Sequence, residues 1–140
     1  MNIVVAHDGS AQSDKALAEA YKLSERLGAA ITIVTVVPDL CLSSEEVSVN
    51  ECGLITNSLY TDARASVKRA MEKMAGTGMK AEVMIKEGHP VDKILETADE
   101  VKADFIVLGA HGRHGAQKYL MGSVSSKVGK YAKCNVIIIK

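Results

Sequence analysis

The sequence predicts a three-layer α/β domain, in which a parallel five-stranded sheet lies between two layers of helices. Short apolar runs without polar alternation indicate strands that are covered on both faces. Stretches with apolar residues at helical spacing lie between these runs. Because the two patterns alternate along the chain, parallel strands joined by crossover helices are favoured. A chain of 140 residues fits one domain, residues 1–140.

Each element follows from one of the two patterns. Strands are predicted at the Val- and Ile-rich runs 3–6, 31–37, 81–85, 105–108 and 136–139. Helices are predicted around the apolar stripes within 17–27, 63–74, 91–101 and 124–132, with Leu27 and Tyr131 counted among the core residues. Residues 39–57 are polar and irregular, so they form either a loop or a segment with a short helix.

Composition and charge exclude several classes of protein. Apolar residues make up 47% of the chain, and 17 Lys and Arg balance 17 Asp and Glu. The chain therefore has no global field that favours nucleic acid or an anionic membrane. The first apolar run meets Asp8 almost at once, so it is neither a signal peptide nor a span, and no run approaches ~18 apolar residues. We expect a soluble, cytoplasmic protein with no membrane or nucleic-acid partner.

The cysteines and histidines form no recognisable metal or disulfide pattern. Three cysteines, an odd number without a CxxC pair, favour reduced thiols in a cytosol. A Cys41–Cys52 pair is the less favoured alternative. The four histidines have no metal-ligand spacing on one helix, so no metal site of their own is predicted.

The turn "AHDGS" after the first strand places polar residues directly before the first helix. Ser10 is suited to cap that helix, which contributes ~1 kcal/mol. Asp8 is suited to close an Asx turn. A carboxylate at the carboxyl end of a strand can also accept from a ribose hydroxyl or hold a phosphate-bound cation. The sequence leaves both roles of Asp8 open.

The connection "GAHGRHGAQKYLMGSVSS" after the fourth strand is the strongest indication of a ligand. Strand-to-helix loops usually contain about 2–6 residues, whereas this one runs from residue 109 to 121. Glycines permit positive φ and close approach of backbone amides, which can form an anion nest before a helix N-terminus. Arg113, His114 and Lys118 lie within this connection, and each either meets phosphate oxygens or is solvated. A purely structural alternative makes Ser123 only an N-cap and the glycines only turn formers.

Familiar nucleotide and hydrolase motifs are absent from the sequence. It contains no GxxxxGK[ST] loop and no GxGxxG after the first strand. It also has neither HExxH nor GxSxG, and no Ser–His–Asp arrangement is recognisable. A nucleophilic hydrolase is therefore disfavoured.

These segments resemble the universal stress protein family, the UspA-like domains, over all 140 residues. The resemblance includes "IVVAHDGS", "ITIVTVVP", "KEGHP", the long glycine connection and the closing "CNVIIIK". Its most specific part is the spacing G-x2-G-x9-G-S/T, formed here by Gly109, Gly112, Gly122 and Ser123. This spacing marks the ATP-binding branch of the family.

The resemblance implies a Rossmann-like fold of the adenine-nucleotide α-hydrolase type, with strand order 3-2-1-4-5. It also implies ATP, or another adenine nucleotide, together with Mg²⁺. Asp8 would lie near the ribose and phosphates, Val36 would offer backbone groups to the adenine, and Gly88 would lie where the third strand closes over the nucleotide. The residues implied around the phosphates are Gly109, Ala110, His111, Gly112, Arg113, Gly115, Gly122, Ser123 and Val124.

Three residues depart from the family pattern. Ala110 and His111 stand where many relatives carry Ser or Thr, so one hydrogen bond to the ligand is either missing or replaced by His111. Asn135 stands where a proline is common. The family also implies a homodimer through strand 136–140, which agrees with the need to cover an apolar edge strand.

The leading hypothesis is an ATP-binding stress-response module with at most slow ATP hydrolysis or autophosphorylation. No general base is identifiable in the loop, so efficient catalysis is not expected. The alternative is a nucleotide-free dimeric interaction protein on the same fold. An enzyme of the α-hydrolase group is disfavoured, because "AHDGS" is neither an SGGxDS loop nor an HxGH signature.

Overall fold

Five parallel strands form a single sheet in the order β3-β2-β1-β4-β5. The structure is a computed structural model that describes residues 1–43, 48–74, 77–111 and 121–140. The strands are β1 (Asn2–Ala6), β2 (Ala30–Val37), β3 (Ala81–Glu87), β4 (Phe105–Gly109) and β5 (Asn135–Ile139). Both the fold class and the strand order confirm the prediction.

Helices connect the strands and cover both faces of the sheet. They are α1 (Ala11–Leu27), α2 (Leu40–Ser43), α3 (Val49–Glu72), α4 (Pro90–Glu100) and α5 (Ser123–Tyr131). Within the described ranges, none of them has both the length and the apolarity to cross a membrane.

Helix α3 begins well before its predicted stripe, inside the segment left open between loop and short helix. The first turns of α3 have no buried apolar stripe, since Val49 is 89% and Leu54 72% exposed. Apolar periodicity therefore does not predict them. The start is fixed instead by a capping box, in which Ser48 and Glu51 accept from each other's backbone N–H groups. The spacing S-x-x-E was the available sequence signal.

The two faces of the sheet pack separate cores. On one face, Ile3, Val5 and Ile33 pack with Leu17 of α1 and Val67 of α3. The other core contains Val4, Val34 and Ile106 with Ile94 of α4 and Val128 of α5. Alternate residues of each strand therefore point to the α1/α3 layer and to the α4/α5 layer.

Two predicted core residues are exposed. Leu27 is 42% and Tyr131 59% exposed. Each is the last residue of its helix, where the chain turns towards the next strand. Helical spacing alone does not show where a helix leaves the core, so these two predictions were wrong.

The prediction of three reduced thiols was also wrong. Cys41 of α2 and Cys52 of α3 form a disulfide with their Cα atoms 5.6 Å apart, while Cys134 is free. The separation is normal for a disulfide. The two helices bring together cysteines that are 11 residues apart in the sequence. The sequence pattern predicts neither α2 nor the start of α3, so it does not predict that the two cysteines meet.

Candidate functional site

A notch lies at the carboxyl edge of the sheet, over the end of β1. Strand β1 ends at Ala6, which pairs with Val34, whereas β2 continues to Val37. On the other side, Val5 pairs with Val107, and β4 continues to Gly109. The strand order reverses between β1 and β4, and this is the position where open α/β sheets bind ligands.

A cavity of about 1010 Å³ opens at this notch. Among the described residues, eight of the predicted site residues line it: Asp8, Val36, Gly109, Ala110, His111, Gly122, Ser123 and Val124. Gly88 does not line it, although its near neighbour Pro90 does. Gly112, Arg113 and Gly115, like His114 and Lys118, lie outside the described residues.

The first turn has the local structure that its sequence predicts. The Ser10 N–H donates to Asp8 Oδ1 at 2.9 Å, which closes an Asx turn around Gly9, whose φ is +83°. The Ser13 N–H donates to Ser10 Oγ at 3.1 Å, so Ser10 caps α1. The Asp8 carboxylate is thereby held at the mouth of the cavity.

The start of the second turn is packed tightly against α1. The His111 N–H donates to Gln12 Oε1 at 3.1 Å, and the Ala110 N–H donates to Ile139 O at 2.8 Å. A Cβ atom on Gly109 would lie 3.0 Å from Gln12 Cβ. Gly109 and Gly122 do not have positive φ. At Gly109 the glycine is needed for close packing.

Helix α5 begins at the cavity. Gly122 is its N-cap residue, the Gly122 N–H donates to Ala110 O at 2.7 Å, and no side chain of the described residues caps the first turn. Ser123 is the first helical residue, so the alternative in which it serves only as the N-cap is wrong. Ser123, Val124 and Ser125 all line the cavity. Uncapped amides and the positive end of the helix dipole make this a suitable position for an anion.

A buried histidine at the end of β1 forms a charged network that sequence analysis did not identify. His7 Nε2 lies 2.8 Å from Asp14 Oδ1, and Lys73 Nζ lies 3.1 Å from Asp14 Oδ2. Burial opposes ionisation of Asp14, but the hydrogen bonds from His7 and Lys73 outweigh it, so the pKa of the carboxyl is lowered. An ionised carboxylate only accepts, so Nε2 is the donor in this contact.

His7 Nδ1 and Thr35 Oγ1 are buried polar atoms that lack a hydrogen-bond partner among the described residues. Both residues line the cavity. The pairing of Ala6 with Val34 makes His7 and Thr35 neighbours on adjacent strands, on the face covered by α1 and α3. A water molecule or a polar ligand group placed between them would satisfy both atoms.

The described residues contain no group of three or more His, Cys, Asp or Glu side chains that could hold a metal ion. Asp8 and Asp62 are the carboxylates among the described residues that line the cavity. Mg²⁺ commonly binds through one or two carboxylates together with substrate phosphates. The residues present therefore fit a cation that arrives with a phosphate ligand.

The fold and the notch define a doubly wound α/β domain with a ligand cavity at the switch point of its sheet. The model of the universal stress protein family matches residues 1–140, and the chain belongs to this family. It is 33% identical over 141 residues to a universal stress protein of Methanocaldococcus jannaschii, covering 99% of this chain and 81% of that protein.

Two solved structures are similar along the whole chain. The universal stress protein UspA from Lactobacillus plantarum has a TM-score of 0.82 at 29% identity, covering 100% of this chain and 97% of that one. A universal stress protein solved in complex with cAMP has a TM-score of 0.74 at 29% identity, with the same coverage.

Proposed function

We propose that this universal stress protein is an adenine-nucleotide-binding regulatory module whose ligand is ATP, as in the ATP-binding branch of its family. The observation that carries the proposal is the N-terminus of α5, which no described side chain caps and where Ser123 and Val124 line the cavity beside Gly109 and Ala110. Phosphates satisfy such amides and are attracted by the helix dipole. The relative solved with cAMP supports the adenine-nucleotide class.

Each side of the cavity has a role in this proposal. The phosphates bind at Ser123 and Val124, and Asp8 accepts from the ribose or contacts a Mg²⁺ ion that the phosphates hold. The adenine lies against the end of β2, where Val36 extends past the last residue of β1. Gly112, Arg113 and Gly115 would complete the phosphate loop, and Gly88 would lie behind the adenine.

In this role the protein binds ATP and hydrolyses it slowly at most. His7 Nδ1 is buried on the α1/α3 face of the sheet, whereas the cradle around Ala110 and Gly122 joins α5. A general base must reach the attacking water within hydrogen-bond distance. Bound ATP therefore acts through conformation and partner affinity.

We further propose a cytoplasmic homodimer that forms through β5. This strand is at the edge of the sheet, and Val136, Ile137, Ile138 and Ile139 are only partly buried. Pairing two copies would cover these side chains and the open backbone groups. Sedimentation should show a dimer at micromolar concentration, and a stable monomer would contradict this assembly.

Calorimetric titration with Mg²⁺–ATP tests the nucleotide site through Gly122. A Cβ atom there would lie 3.1 Å from Ala110 O, so Gly122→Val displaces the start of α5 and should weaken binding at least about tenfold, or about 1.4 kcal/mol. Gly129→Ala in the same helix is the control, because its Cβ meets nothing closer than 3.9 Å. Equal affinity in the wild type and folded Gly122→Val would refute the site.

A further inference from the structure

The Cys41–Cys52 disulfide joins two elements that follow β2. Cys41 lies in the short helix α2 and is exposed, whereas Cys52 lies in the first turns of α3 and is 3% exposed. The Thr56 hydroxyl, one turn further along α3, lies 3.8 Å from Cys41 Sγ. One sulfur of the pair is therefore open to an incoming thiol, while the other is shielded.

Three large apolar side chains in the first half of α3 are exposed. Val49 is 89%, Leu54 72% and Ile55 40% exposed. The buried residues of α3 are Ala63, Val67 and Ala70 in its second half, and Cys52 alone in its first half. The capping box stabilises the helix itself but does not attach it to the sheet. The disulfide thus ties the first turns of α3 to α2, while Tyr60 further along the helix hydrogen-bonds to Glu87 of β3.

One wall of the cavity is formed by α3 and by the segment that leads into α2. Val37 and Pro38 line it and lead directly into α2, and Leu59 and Asp62 line it from α3. Cys41 follows Pro38 by three residues, and Cys52 precedes Leu59 by about two helical turns. A change at the disulfide is therefore expected to reach residues that line the cavity.

We propose that Cys41–Cys52 is a reversible redox modification site that takes dithiols and disulfides as substrates, and that its state sets the affinity of the cavity. Coupling to ATP rests on the proposed function, whereas the modification site does not. Disulfides in cytosolic proteins are usually transient and redox-sensing. A cytoplasmic location is therefore compatible with this pair.

Reduction proceeds by thiol–disulfide exchange. A thiolate of the dithiol attacks the exposed Cys41 sulfur, the S–S bond breaks, and Cys52 leaves with the electron pair as a thiolate near the positive end of the α3 dipole. The second thiol of the reductant then displaces Cys41 and forms the oxidised dithiol. In total, two electrons and the two thiol protons of the reductant pass to the protein, where they give the Cys41 and Cys52 thiols. A small disulfide reverses the exchange.

Cys134 provides an internal control. It precedes β5, far along the chain from the pair, and is only partly buried. Burial raises the pKa of its thiol, which disfavours the reactive thiolate. We expect Cys134→Ser to leave both the exchange and the affinity unchanged.

The test begins by counting thiols in the intact protein. After equilibration with oxidised glutathione, N-ethylmaleimide should label Cys134 alone in the wild type and nothing in Cys134→Ser. After reduction with dithiothreitol, the wild type should take up three labels and Cys134→Ser should take up two. Labelling of Cys41 and Cys52 under oxidising conditions would overturn the modification site.

Titration with Mg²⁺–ATP then tests the coupling. The oxidised form has the more preorganised wall, so it should bind about fivefold more tightly than the reduced form, and Cys41→Ser should bind like the reduced form in both conditions. Equal affinities, or tighter binding after reduction, would overturn the coupling. If neither form binds ATP, the proposed function and the coupling both fail, while the thiol count still decides the modification site.

Discussion

Replacing Asp14 tests the network that joins α1, the end of β1 and the end of α3. Asp14→Ala leaves both ring nitrogens of the fully buried His7 without a described partner. An unsatisfied buried group costs about 1–3 kcal/mol, whereas the ion pair with Lys73, which is 68% exposed, contributes about 0–1 kcal/mol. We expect Asp14→Ala to lower the free energy of unfolding by about 2–3 kcal/mol and Asp14→Asn to lower it by about 1 kcal/mol. Lys73→Met should lower it by less.

Urea unfolding followed by circular dichroism measures these losses. For a chain of this length, 1 kcal/mol corresponds to about 3 °C in Tm, so Asp14→Ala should melt about 6–9 °C below the wild type. The result would refute the reasoning if Lys73→Met were as destabilising as Asp14→Ala, because the stabilisation would then come from the surface ion pair.

The same network predicts a pH dependence. The pKa of Asp14 is lowered in the folded state, so its contribution is complete above the unfolded pKa of about 3.9 and is lost as pH falls through the folded pKa. Asp14→Asn cannot ionise and lacks this contribution. The stability gap between wild type and Asp14→Asn should therefore narrow below about pH 4, and a gap unchanged from pH 7 to pH 3 would contradict the assignment.

Three further substitutions test the fold and the turns by urea unfolding. Leu17→Ala removes a side chain that is 1% exposed and should cost about 2–5 kcal/mol; a loss under 1 kcal/mol would mean that α1 is not packed as described. Ser10→Ala removes the α1 cap and should cost about 1 kcal/mol, with no loss counting against the cap. Gly109→Ala places a Cβ 3.0 Å from Gln12 Cβ and should cost about 1–3 kcal/mol, and a neutral effect would show that α1 can move away.

The parts of the fold that follow from local patterns were predictable. The run 31–37 predicts a buried strand, and β2 spans Ala30–Val37. The stripe 91–101 predicts a helix, and α4 spans Pro90–Glu100. Asp8 follows β1, Gly109 ends β4, and Gly122 caps the helix that packs beside them. All three residues therefore line one cavity. Strand direction alone brings such residues to one edge.

Features that depend on contacts between distant segments were not predictable. Lys73 and Asp14 are 59 residues apart, and no local pattern pairs them. The His7–Asp14 contact spans only seven residues across the β1–α1 turn, so that spacing was a usable signal. The Cys41–Cys52 pair depended on helices whose exposed surfaces give no apolar period. The tight packing of Gly109 on Gln12 depends on side-chain geometry that a glycine in the sequence does not specify.

The central claim is that an adenine nucleotide binds at the start of α5, and an amide NMR titration of the labelled protein with Mg²⁺–ATP tests it most directly. The largest shifts should occur at Ala110, Ser123 and Val124, which line the cavity. The amide of Glu100, at the far end of α4, should remain unchanged. Saturating ATP that leaves Ser123 and Val124 unshifted, or shifts confined to another surface, would contradict the site.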